Sequence, residues 1–168
     1  MGKPVIRKAI VDDLPILTEI YNQAIQARQT ADTVPMTTAD RQAWFDGHEQ
    51  ERYPLFAVEK AGIVCGYATL SKYRGGRPAL RTSVEVSYYL DNQYHRQGLG
   101  NLLLRYLLEV SKDLGFKHAI AILLETNLPS IGLLKKYGFT EWGHMPNIAE
   151  INGNVCGHLY YGKHLFEE

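Results

Sequence analysis

Residues Leu99 to Leu114 form an amphipathic run that leaves few folds open, entered through Gly98 and left through Gly115. Leu102, Leu103, Tyr106, Leu107, Val110 and Leu114 recur at helical spacing and put a broad apolar stripe on one side of that helix. Gly115 stands at the position where a helix is closed in the left-handed conformation. The stripe must be buried against another layer, and the flanking sequence supplies one. Thr82–Leu90 upstream is strand-like, and Lys117–Leu124 downstream is a continuous apolar run typical of a fully covered strand. The order strand, glycine turn, helix, strand predicts a sheet with this helix packed on it.

The rest of the chain extends that unit. Pro4–Ile10 reads as a short strand, and Asp12 or Asp13 caps a helix carrying Leu14, Leu17, Tyr21 and Ile25. Thr30–Thr38 is a turn-rich connector, after which Thr38 caps a second helix through Trp44, Phe45 and His48 that ends near Tyr53–Pro54. Leu55–Lys60, Ile63–Tyr73 and Thr82–Leu90 read as an antiparallel meander, its first two strands joined at Ala61–Gly62. Ser130–Tyr137 is a short helix closed by Gly138, and Val155–Leu165 is a last strand after a loop containing Asn152–Gly153. No repeat or linker interrupts the pattern. Residues 1–168 are therefore expected to form a single α+β (mixed α/β) domain, with helices on both faces of one sheet.

Composition narrows the partners. Lys plus Arg number 18 and Asp plus Glu number 18, so no net field gathers nucleic acid or an anionic membrane. Neither a signal-peptide core nor a spanning run of about 18 apolar residues is visible. Cys65 and Cys156 each lie alone in an apolar stretch, which suits reduced buried thiols. The expectation is a cytoplasmic protein with no nucleic-acid or membrane partner. The six histidines show no zinc-ligand spacing, and Cys156–Gly157–His158 reads as packing, so no metal is expected.

Chemistry concentrates at Tyr94–His95–Arg96–Gln97–Gly98–Leu99–Gly100–Asn101, between a strand end and a helix start. A helix N-terminus exposes unpaired N–H groups and a partial positive charge, and glycines let an anion approach the backbone. Arg96 adds a charge-assisted donor. A Walker loop would need Gly-Lys-Ser/Thr, and a dinucleotide fingerprint would need a third glycine and a downstream acid; neither is present. The alternative is a glycine turn that merely opens a helix.

This stretch resembles the GNAT acetyltransferase motif, in which Gln or Arg is followed by two residues, Gly, any residue, and Gly or Ala. Here His95 occupies the Gln/Arg slot of His95–Arg96–Gln97–Gly98–Leu99–Gly100, leaving the backbone donors in place. The likeness covers nearly the whole chain and is greatest to the phosphinothricin or methionine sulfone N-acetyltransferase branch. It is carried by Ile20–Tyr21–Asn22, the loop Thr30–Thr37, Trp44–Phe45, the run Tyr73–Val86, Asn127–Ser130 and Tyr137–Gly138–Phe139. The resemblance implies a GNAT-like domain with a mixed, mostly antiparallel sheet splayed between two strands, acetyl-CoA as cosubstrate, a homodimer, and a small amino-acid-like amine as acceptor. By position it implies that Tyr88, Tyr89 and Leu90 offer backbone groups to the pantetheine arm. It further implies that Arg96, Gln97, Gly98, Leu99, Gly100 and Asn101 surround the pyrophosphate, and that Asn127 touches the coenzyme. Asn127 equally suits an Asx turn or helix cap before Leu128–Pro129.

An amine attacks a thioester only when neutral, and an α-amino group with a pKa of about 8 is mostly protonated at pH 7. Glu85, mid-strand on the face it shares with Ser87 and Tyr89, stands at the family position proposed as the base. Its spacing alone is equally that of a solvated strand face. Neither cysteine sits in a nucleophile motif and no Ser–His–Asp arrangement is visible, which favours direct attack in a ternary complex. Arg74, Arg77 and Arg81 crowd the preceding loop. Arg74 and, by family position, Arg77 are candidates to hold an anionic acceptor, whereas Arg81 reads as a solvated turn residue. Leu80 replaces the Tyr common in the phosphinothricin branch. Leu134 stands where many GNAT members place a Tyr, and this branch often a His, as the acid, and Tyr137 is expected to be packed instead. Two rival readings are acetylation of a protein N-terminus or lysine, and a non-catalytic CoA-binding regulator.

Overall fold

Two tight hairpins frame the sheet. Ala61–Gly62 (φ 51° and 78°) and Asn152–Gly153 (φ 51° and 80°) both take the left-handed conformation that lets a two-residue turn match the twist of its strands. In the computed structural model, which describes residues 2–166, these turns join Leu55–Lys60 (β2) to Ile63–Lys72 (β3) and Thr140–Ile151 (β6) to Asn154–His164 (β7). The remaining strands are Val5–Lys8 (β1), Ser83–Leu90 (β4) and His118–Leu124 (β5). The helices are Leu14–Gln26 (α1), Thr38–Asp46 (α2), Leu99–Asp113 (α3) and Leu128–Lys136 (α4).

The seven strands form one open sheet in the order β1-β2-β3-β4-β5-β7-β6. Every neighbouring pair is antiparallel except β4 and β5, which run parallel and pair only over Ser83–Glu85 with His118–Ile120. Beyond Glu85 the two strands diverge, and β4 continues to Leu90 paired with β3 alone. Strand alternation assigns the cores. Phe56, Val58, Ala68, Leu70, Val84 and Val86 face α3, whose Leu103, Leu104 and Leu107 are fully buried. Leu55, Ala57 and Tyr67 face the other way, onto Leu17, Ile20 and Tyr21 of α1. Helices thus cover both faces, as the sequence predicts.

Two elements depart from the expected pattern. The second helix is capped by Thr37, not Thr38, through a reciprocal box with Asp40 (3.1 and 2.8 Å), and it stops at Asp46 rather than near Pro54. Gly47 ends it because no apolar periodicity carries the helix onward. Strand β6 occupies what the sequence suggests is a loop. It is an edge strand with mostly exposed residues, so it carries little alternation. Its Pro146 and Asn147 (φ 56°) fall in a register shift between Met145 and Ala149, where a missing donor and a left-handed residue are tolerated.

Candidate active site

The divergence of β4 from β5 makes the site. Backbone groups of Val86–Leu90 on the β5 side lose their ladder, and buried backbone groups of this kind require another partner. A cleft of about 520 Å³ opens there, running from Tyr88, Tyr89 and Leu90 past Asn127 and Ser130 to the first turn of α3. Gly98 caps that turn at φ 80°, with nothing within 4 Å of the place a Cβ would take. Leu99, Gly100 and Asn101 follow along the cleft wall, so the free N–H groups of the helix start and its positive dipole end meet the cavity. Arg96, also left-handed at φ 61°, is exposed at the rim, and His95 pins the loop through its Nε2 to the carbonyl of Leu90 at 3.1 Å.

Not every predicted coenzyme residue presents its side chain. The Gln97 amide turns away, its oxygen accepting from Lys60 at 2.9 Å and its nitrogen donating to the Gln93 carbonyl at 3.3 Å, which leaves only its backbone for the cleft loop. Asn101 lines the cleft while its side-chain oxygen accepts from Lys136 at 2.7 Å. Asn127 lines it too, and its carbonyl caps α4 by accepting from Ser130 N–H at 3.4 Å. The cap function open to Asn127 in the sequence is therefore present beside its place on the cleft. Leu134 is buried, and the Tyr137 hydroxyl donates to the Asn101 carbonyl at 3.2 Å on the far side of the helix, where it lines a separate groove.

On the other face of β4 lies a second pocket of about 320 Å³, lined by Glu85, Ser87 and Tyr89 of the strand, by Tyr67, and by Arg41 and Trp44 of α2. Burial alone raises the Glu85 carboxyl above the ordinary glutamate value of 4.5. Burial pushes the Tyr89 phenol to about 12. Tyr89 lines both cavities, so the cleft at the start of α3 and the Glu85 pocket meet at one strand position. Arg74 and Arg77 are not brought to Glu85: both are exposed and line a different groove with Tyr53 and Lys72. Arg41, which the sequence reading passes over, is in the pocket instead. Its signal was present as a cation three residues before Trp44 on one helix face.

The family model for the acetyltransferase (GNAT) domain matches residues 5–140. The chain belongs to the GNAT family. Among its relatives, the L-methionine sulfoximine/L-methionine sulfone acetyltransferase of Pseudomonas aeruginosa is 38% identical over 86% of this chain and 85% of its own. The phosphinothricin N-acetyltransferase of Streptomyces viridochromogenes is 33% identical over 82% of this chain and 75% of its own. The crystal structure of a GNAT phosphinothricin acetyltransferase from Sinorhizobium meliloti in complex with AcCoA superposes with a TM-score of 0.89, at 29% identity, over 96% of this chain and 88% of that one. This GNAT chain is accordingly an acetyl-CoA-dependent N-acetyltransferase, and the splayed sheet expected from its sequence is the sheet it has. Among the described residues no group of three or more metal-ligating side chains is assembled.

Proposed function

We propose that the enzyme transfers the acetyl group of acetyl-CoA to the amine of a small amino-acid-like acceptor by direct attack in a ternary complex. The observation that carries this is the meeting of two cavities on β4, one floored by a helix N-terminus and one holding Glu85. The thioester end of the coenzyme lies at the unpaired backbone of Val86–Leu90. The pyrophosphate lies on Arg96 and the Gly98–Asn101 turn, with Asn127 alongside. Glu85, directly or through one water, takes the amine proton. Cys65 and Cys156 are buried and line neither cavity, which supports attack without an acyl-enzyme.

A pocket of about 320 Å³ suits one small molecule better than a peptide. The relatives named for methionine sulfone, methionine sulfoximine and phosphinothricin point to the same acceptor class. Arg74 and Arg77, on the loop that leads into β4, line a groove of their own and are not among the residues of this pocket. A homodimer in the cytoplasm completes the proposal; Trp142, Ile148 and Val155 on the β6–β7 hairpin are exposed apolar residues of the kind a partner copy covers. Release of the CoA thiol, followed across free amino acids, their amides and peptides with acetyl-CoA, tests the reading. Turnover of amino acids above peptides is the expected result, and turnover of peptides alone refutes the acceptor class.

A further inference from the structure

Arg41 is a charged side chain that the fold encloses without neutralising it. It is 5% exposed, yet among the described residues it has no ion pair. Its guanidinium lies 3.7 Å from the Trp44 ring centre and 4.2 Å from that of Tyr21, and it donates one hydrogen bond, to the Tyr67 hydroxyl at 3.2 Å. Three carboxylates line the same pocket, and none of them forms an ion pair with Arg41: Asp40 accepts from the Thr37 N–H at 2.8 Å, Asp32 accepts from the Tyr21 hydroxyl, and Glu85 stands on β4. Among the described residues no fully buried side-chain nitrogen or oxygen lacks a partner, so the guanidinium N–H groups left over after Tyr67 keep some accessible surface, and Arg41 is part of the pocket wall. A largely enclosed cation without an ion pair is a favourable partner for an anion that enters the cavity. Ring stacking occupies the faces of a guanidinium and leaves its edge, the fork that pairs with a planar carboxylate through two parallel bonds.

We infer that Arg41 binds the carboxylate of the acceptor amino acid, in the pocket that Glu85 also lines. The inference rests on the acceptor class proposed above and assigns its anionic contact to α2 instead of to the Arg74–Arg77 loop. One pocket then sorts the two charges of a zwitterion, the amine toward a carboxylate on β4 and the carboxylate toward a guanidinium on α2. Tyr21, Trp44 and Tyr67 hold the guanidinium plane, which fixes the direction of the fork before the acceptor arrives.

The test compares methionine sulfone with its carboxamide as acceptors, at matched concentrations of neutral amine. In the wild type the acid is expected to exceed the amide in kcat/KM by about tenfold or more. Arg41→Met, which keeps an apolar stem among the rings, is expected to raise KM for the acid by about 10- to 100-fold and KM for the amide by less than about threefold. Arg41→Lys is expected to recover part of the loss on the acid alone. Unchanged CoA affinity and melting temperature show that the variants are folded. If Arg41→Met does not fold, the wild-type acid-to-amide ratio and Arg41→Lys decide. Equal losses on acid and amide, no wild-type preference for the acid, or an acid-selective loss in Arg77→Ala that Arg41→Met lacks would overturn the inference. A wild type that transfers acetyl to peptides but to neither probe would overturn the acceptor class itself.

Discussion

Replacing Glu85 by Gln separates the role of a base from every other role this side chain has. The residue is half-buried and, among the described residues, accepts no hydrogen bond and forms no ion pair, so an isosteric amide breaks no contact with the protein. What it removes is a desolvated charge. Ionisation of Glu85 is harder in the fold than in the unfolded chain, because burial raises its pKa above 4.5. Wild-type stability is therefore fullest below that value and declines as pH rises through the raised folded pKa, a decline the Gln variant lacks. At pH 7 to 8 the variant should melt no lower than the wild type. Activity moves the opposite way: loss of a positioned base lowers kcat by about 10²-fold or more, equal to roughly 2.7 kcal/mol of barrier at 1.36 kcal/mol per decade. Thermal melts at pH 7 to 8 measure the first effect, and initial rates of thiol release with saturating acetyl-CoA and acceptor, between about pH 5 and 9, measure the second. The wild type should lose kcat as pH falls through the raised carboxyl pKa, and the variant should lose that limb. A folded variant with native kcat and an unchanged profile would refute the assignment of Glu85 as the base.

Two more outcomes follow from the cleft. Gly98→Asp sets a negative side chain at the helix start to which the proposal assigns the coenzyme's phosphates, and it also forces a non-glycine residue to φ 80°. Isothermal calorimetry on the folded variant should show CoA affinity lowered by at least about tenfold. Tyr137→Phe deletes only the donor to the Asn101 carbonyl, so turnover should stay within a few-fold and stability should fall by about 1 kcal/mol in denaturant titrations. A collapse of kcat in that variant would make Tyr137 the acid.

The sheet and its covering helices were legible because burial writes periodicity into sequence: the α3 stripe, the apolar β5 run and the two-residue turns each have one local solution. Strand β6 was not legible. Its residues face water along an edge, its two register shifts interrupt alternation, and its partner is known only once β7 is placed. The glycine turn that opens α3 onto the cleft could be read for the same reason as the fold, since its backbone geometry is a local property. The Glu85 pocket could not, because Arg41, Tyr67 and Glu85 come from three separate elements and gather only after α2 docks beside β3 and β4. Arginines adjacent to Glu85 in sequence were the visible candidates, and the chain carries them to another groove.

Three residue pairs across the middle of a seven-stranded sheet also mean that its two halves are incompletely stitched. In the binding mode proposed above, the pantetheine arm would take the place of the next rungs of the ladder and act as a temporary eighth strand. Cosubstrate is then part of the molecule's architecture as well as its chemistry. At a concentration 100 times its dissociation constant it adds about 2.7 kcal/mol to the stability of the fold. How firmly this enzyme holds together is set in part by the acetyl-CoA supply around it.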